Sequence, residues 1–110
     1  MNELQTNIER FWKSAEIIYK EEDYTSATML YFKCLFVILD KIIFLKERKT
    51  PKDHTERFEI LKKSFPKYYE ILDKIYVIYR DTYSISIEKE KCEEVKKYVR
   101  NIAQEQRIQL

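Results

Sequence analysis

The sequence of 110 residues contains no glycine, two prolines and two cysteines. Tight β-turns and phosphate-cradling loops need residues that accept a positive φ angle, which glycine does at the least cost. The absence of glycine therefore argues against a β-sandwich and against a glycine-rich phosphate loop, and it favours helices joined by short turns. Cys34 and Cys92 are too few and too far apart for a zinc ribbon or a redox pair. Both fall within apolar helical patterns, so we predict buried, reduced thiols.

Long apolar runs are missing as well. No run approaches the roughly 18 residues of a membrane span, and the first residues lack the basic-then-apolar order of a signal peptide. The 21 lysines and arginines almost balance the 19 aspartates and glutamates, and the net charge of +2 excludes a strongly basic arm. We expect a cytoplasmic protein with no membrane partner.

The residues that are present suit one helical domain covering residues 1–110. Hydrophobic residues make up 45% of the chain and aromatic residues 15%, which is enough apolar surface to offset the entropy lost on ordering the chain. Apolar residues recur every three or four positions from about residue 2 to 21 and from about 24 to 46. The second segment has the broader apolar arc, so we expect it to form the central helix or a dimer face.

Three further helices are predicted from capping residues. Asp53, with Glu56 three residues later, can cap a short third helix, and Pro66 is placed to open a fourth. After an irregular segment at residues 81–87, Ser86 can cap a last helix that frays from about residue 104. The fold predicted is an all-α, up-and-down bundle of four to five helices, with successive helices antiparallel where loops are brief.

Candidate site residues fall in two places. Residues 46–67 carry eight lysines and arginines but only four acidic residues, and this positive excess could bind phosphate groups. The same segment contains the single histidine, His54. The second place is a tyrosine-rich cluster at residues 76–84, which includes Arg80. No serine or cysteine stands as a nucleophile beside a base, and no metal-ligand spacing occurs, so we predict no cofactor and no metal.

Several short motifs together resemble the HEPN family, the higher eukaryotes and prokaryotes nucleotide-binding domain. They are AEII at 15–18, YTSA at 24–27, YFKCLF at 31–36, PKDH at 51–54, RFEIL at 57–61 and YRDTY at 79–83. The resemblance implies an up-and-down helical bundle, frequently a homodimer, often encoded beside a minimal nucleotidyltransferase in toxin–antitoxin pairs. It also implies ribonuclease activity in many members, where an arginine and a histidine four to six residues apart cleave RNA without metal.

The sequence departs from that pattern at the catalytic motif. Arg80 and Asp81 stand where the motif arginine and its polar neighbour are expected, but no histidine follows them. General acid or base work there would lack its usual imidazole. Arg48 and His54 meet the spacing formally, with five residues between them, but they lie in the loop after the second helix.

The resulting hypothesis is a non-catalytic HEPN-like module. We expect it to bind a protein partner, such as a minimal nucleotidyltransferase, or a nucleotide or RNA, and to form a homodimer. The expected binding residues are Arg80, Asp81, Tyr83, Arg48, Lys52, His54 and Arg57.

Two alternatives stay open. One is a metal-independent HEPN endoribonuclease toxin that uses Arg48 and His54. The other is a structural, helical-repeat-like interaction protein. Its basis is a pattern that suggests a tetratricopeptide helix pair, formed by Ala15, Tyr24, Ala27 and Tyr31. No second copy of any segment is evident, and a single such pair could not bury its own faces.

Overall fold

The computed structural model describes residues 2–110. This part of the chain contains five α-helices and no strand. The helices are α1 (Asn2–Lys20), α2 (Tyr24–Glu47), α3 (His54–Ser64), α4 (Pro66–Asp81) and α5 (Lys89–Glu105). The prediction of an all-α bundle is confirmed. The molecule measures 38 × 26 × 23 Å, and its longest dimension matches the roughly 36 Å that a helix of 24 residues spans.

Helix α2 is the centre of the bundle, as its broad apolar arc predicts. Within residues 27–43, Lys33 is the one side chain that is fully exposed. Each of the other four helices contacts α2, and the buried residues of all five elements join in one core. Among residues 2–110, no helix is both long enough and apolar enough to cross a bilayer.

Helices α1 and α2 form an antiparallel pair joined by a three-residue turn. Tyr19 near the end of α1 contacts Tyr24 at the start of α2, and Gln5 near the start of α1 accepts a hydrogen bond from Lys41. Midway along the pair, the Cys34 thiol donates to the Ile8 carbonyl oxygen at 3.4 Å. Both cysteines are buried and unpaired, as the sequence predicts, and burial raises the pKa of Cys34 to about 12.

The strict up-and-down order fails at one connection, between α2 and α3. His54 at the start of α3 packs against Phe36, whereas Ser64 at its end donates a hydrogen bond to Glu47. The six-residue link at 48–53 therefore runs back along α2, and α3 points in the same direction as α2. This return places the start of α3 beside the middle of the central helix.

The helix ends show how a chain without glycine makes its turns. Asp53 accepts from the Glu56 N–H at 2.8 Å, and Glu56 accepts from the Lys52 N–H at 3.0 Å, so the predicted cap of α3 is confirmed. Glu22 and Arg48 take positive φ angles of 64° and 60°, which are usually left to glycine. Pro66 opens α4 as predicted.

The prediction that Ser86 caps the last helix is wrong. Ile87 is drawn into the core, and its N–H donates to the Thr25 hydroxyl at 2.8 Å, which ties this part of the linker to the start of α2. The backbone stays extended through Glu88, so α5 begins at Lys89. At the other end, where we expect fraying from about residue 104, α5 continues to Glu105 and Ile108 is buried.

A pair of leucines on α2 tests how far the core depends on this helix. Leu35 is fully buried and Leu45 is 57% exposed. Leu35→Ala should lower the free energy of unfolding by about 2–5 kcal/mol, because it removes buried methyl groups and leaves a cavity. Leu45→Ala should change it by no more than about 0.5 kcal/mol. Urea denaturation followed by circular dichroism measures both; similar losses for the two variants would contradict the assignment of α2 as the centre.

Candidate functional site

A buried ion pair joins the middle of α2 to the first turns of α3. Arg57 Nε donates to Asp40 Oδ1 at 2.8 Å, and Arg57 Nη2 donates to Asp40 Oδ2 at 3.1 Å. The two side chains are only 9% and 15% exposed, and the guanidinium also lies over the Phe36 ring at 4.9 Å. Two parallel hydrogen bonds hold the guanidinium plane in one orientation. The charge of Arg57 is thus neutralised inside the protein.

The same guanidinium fixes the state of His54. Arg57 Nη1 lies 2.6 Å from His54 Nδ1, and arginine nitrogens are donors only, so Nδ1 must accept. The ring proton of neutral His54 is therefore on Nε2. Burial lowers the pKa of His54 below its ordinary value, and the positive charge of Arg57 lowers it further. His54 is consequently uncharged at pH 7.

The second ring nitrogen of His54, Nε2, has no hydrogen-bond partner among residues 3–110. Every buried side-chain nitrogen or oxygen in residues 3–110 has a hydrogen-bond partner. Nε2 has none among those residues, so it is not buried. The structure thus leaves an uncharged N–H donor without a partner among residues 3–110, and the hydrogen bonds Asp40–Arg57–His54 hold its ring in place.

An unbroken series of ring contacts runs across α3 and α4 through this histidine. Consecutive ring centroids in the series are 6.1, 5.0, 5.8, 5.7 and 5.6 Å apart. None of the six rings is fully buried. We call this series the aromatic row; its members, in order, are Tyr69, Phe58, Tyr76, His54, Tyr79 and Tyr83.

The row ends at a pair of tyrosines on the last turn of α4 and the residues that follow it. The hydroxyl groups of Tyr79 and Tyr83 are 2.9 Å apart and share a hydrogen bond. That bond, with burial, raises the pKa of Tyr79 to about 12, so its hydroxyl stays protonated at neutral pH. Tyr83 is 69% exposed and offers most of its ring to solvent.

The structure brings some of the predicted site residues together and separates others. His54 and Tyr83 both belong to the aromatic row, and Arg57 bonds to His54 but is itself buried. Asp81 instead lines a groove on the α5 side of α4, and Arg80 is exposed between the two surfaces.

Two of the predicted binding residues, Lys52 and Arg48, lie outside the aromatic row. Lys52 is exposed and contributes its backbone N–H to the cap of α3. Arg48 ends α2, with its guanidinium 5.9 Å from the Phe44 ring.

Arg48 and His54 therefore do not form a pair in this chain. Arg48 contacts Phe44, whereas His54 contacts Phe36, and these two positions are about 12 Å apart along the axis of α2. The guanidinium beside His54 is that of Arg57. No hydrogen bond joins Arg48 to His54 among residues 3–110, and the nuclease alternative stays a prediction.

Two residues of the site, Asp40 and Lys33, were not predicted from the sequence. Asp40 fixes Arg57, and Lys33, the exposed residue of the central part of α2, adds positive potential at His54. A signal existed for Asp40, because an aspartate inside a broad apolar arc needs a buried partner. In residues 2–110 no three histidine, cysteine or acidic side chains lie close enough to hold a metal ion.

No protein-family model, curated protein or solved structure matches this chain.

Asp40→Ala should strongly destabilise the fold, because it leaves the Arg57 guanidinium buried without a counter-charge. Breaking a buried pair in this way costs about 3–5 kcal/mol of unfolding free energy. Lys67→Ala is the matched control, since it breaks the exposed Lys67–Glu105 pair of similar length, 2.7 Å. Its denaturation midpoint should stay at the wild-type value. Equal shifts of the midpoint in the two variants would show that Asp40 does not compensate a buried charge.

The titration of His54 can be followed without interference, since the chain has no other histidine. The pKa of His54, measured from its ring proton resonances by NMR, should lie below the ordinary 6.5. The unfolded chain then binds a proton at higher pH than the folded one, so folding stability falls as the pH drops through 6.5 towards the folded pKa. His54→Gln should lack this part of the pH dependence. A pKa above 6.5 would contradict the acceptor role of Nδ1.

Proposed function

We propose that this chain is a HEPN-like binding module that holds single-stranded RNA on the aromatic row without cleaving it. The observation that carries the proposal is the unbroken series of six partly or largely exposed rings, with the neutral donor of His54 within it. The stacking face of a base suits an exposed aromatic ring whatever the base is. The HEPN resemblance of the sequence supports the same ligand class.

Positive charge flanks the row at more than one point. The Lys62 ammonium lies 5.7 Å from the ring of Tyr69, at the opposite end from Tyr83. Lys33 acts on His54 near the middle, and Arg80 follows Tyr79 in the chain. Arg57 does not contribute, because Asp40 neutralises it. Exposed cations beside aromatic rings that bases can stack on are the usual means by which a protein binds along a single strand.

The state of His54 supports binding rather than cleavage. A general base must accept a proton, but the surface nitrogen Nε2 already carries one, and Nδ1 is occupied by Arg57. Arg48, which matches the family spacing only formally, contacts Phe44 instead. Nε2–H is suited to donate to a carbonyl oxygen or ring nitrogen of a base.

The HEPN resemblance extends the proposal to protein partners. It suggests that two copies of the chain associate and that a minimal nucleotidyltransferase binds the module. Neither partner is needed for the row to stack bases, because all six rings belong to one protomer.

Tyr83 offers a direct test of RNA binding. The probe is a fluorescein-labelled, mixed-sequence RNA of 12 nucleotides, measured by fluorescence anisotropy in the presence of chelator. Tyr83→Ala should weaken binding by on the order of tenfold, since stacking contributes about 1–3 kcal/mol per base. Tyr83→Phe keeps the ring and should retain most of the affinity.

The control is Tyr98→Ala, which removes a half-buried tyrosine of α5 that lies outside the row and bonds to Lys74. It should bind RNA like the wild type. No measurable binding by the folded wild-type protein would reject the proposal. Cleavage of the RNA in chelator that disappears in His54→Ala would establish the nuclease instead.

A further inference from the structure

A groove lies on the side of α4 that faces away from the aromatic row. It has a volume of about 280 Å³, and it runs between the last two turns of α4 and the first turn of α5 under the linker at residues 82–88. The lining residues are Val77, Ile78, Asp81, Ile85, Ser86, Ile87, Glu88 and Lys91.

The groove exposes aliphatic surface that the fold leaves uncovered. Val77 is 46% exposed and Ile85 is 59% exposed, and both line it. Its floor is rigid, because Ile78 and Ile87 are buried in the core and the Ile87 N–H is bonded to Thr25. A preformed aliphatic surface of this kind marks a contact site more often than an isolated exposed residue does.

The uncompensated charge at the groove is negative. Among the residues that the structure describes, none bonds or pairs with the carboxylate of Asp81 or Glu88. The one lining cation, Lys91, lies 3.9 Å from Glu94 of its own helix. Two free carboxylates beside aliphatic side chains favour a ligand that is apolar at its centre and cationic at its edges.

We propose that this groove docks a short segment of another protein that carries one branched aliphatic side chain flanked by lysine or arginine. The volume lies at the low end for small-molecule sites and suits one or two side chains. The carboxylates disfavour phosphate, so the ligand class differs from that of the aromatic row. The proposal does not depend on RNA binding, and each can fail without the other.

Two synthetic peptides of 15 residues provide the probe. They share a helical sequence with one central leucine and differ only at the flanking positions, which are lysine in one and glutamate in the other. Amide resonances of the ¹⁵N-labelled protein should shift on addition of the lysine peptide, and the shifts should be confined to residues 77–91. The glutamate peptide should bind at least about threefold to tenfold more weakly, so its shifts at the same concentration should be smaller.

Matched variants locate the contact. Ile85→Ser should abolish the shifts, whereas Leu45→Ser, which alters an equally exposed aliphatic residue on α2, should leave them unchanged. Because both residues are exposed, neither change should unfold the chain. The double variant Asp81→Lys with Glu88→Lys should raise the dissociation constant of the lysine peptide about threefold to tenfold, as expected for exposed charges at the edge of a contact.

Three results would overturn the proposal. One is that neither peptide shifts the resonances of the groove, and a second is that both bind equally well. The third is concentration-dependent self-association in analytical ultracentrifugation that Ile85→Ser removes, because a second copy of this chain would then fill the groove.

Discussion

Helix α2 is apolar on almost every side, and its need to be shielded from water determines the rest of the structure. Only Lys33 is exposed within residues 27–43, where the other residues are buried or half-buried, so a single partner helix could not cover the surface. Helices α1 and α5 cover one part of it, and α3 and α4 cover another. A link of six residues must turn back along α2 for α3 to take its place. The direction of α3 is thus a consequence of what α2 has to bury.

The charged pair between these helices is a consequence of the same packing. Asp40 lies on the side of α2 that packs against α3. Burying its carboxylate without a partner would cost several kcal/mol of folding free energy. Arg57 meets it with two hydrogen bonds and leaves Nη1 for His54. A contact formed to satisfy a buried carboxylate therefore also determines which nitrogen of a surface histidine carries the proton. Interactions with the core hold His54 in place, and the loop that precedes it does not.

Much of this fold is predictable from residue spacing, because the helical period and the capping residues are local signals. Asp53 and Pro66 mark the starts of α3 and α4 correctly. The Ser86 prediction failed for a non-local reason: Ile87 bonds to Thr25, 62 positions away, and capping rules do not include such a contact.

The site was harder to predict than the fold for a related reason. Spacing along the chain pairs Arg48 with His54, but the return of the link carries His54 away from Arg48 and towards Phe36. The meeting of His54 with Tyr76 and Tyr79 depends on where α3 and α4 pack, which no local pattern specifies.

The end of α4 presents two surfaces of different chemistry. Residues three or four positions apart share a helix face, so Tyr76, Tyr79 and Tyr83 point to the aromatic row, while Val77 and Asp81 point to the groove. The linker after α4 joins the two, since the Tyr83 N–H donates to the Arg80 carbonyl and the Ile85 N–H to the Asp81 carbonyl. Tyr83 and Ile85 are therefore held by one short turn on the same helix end.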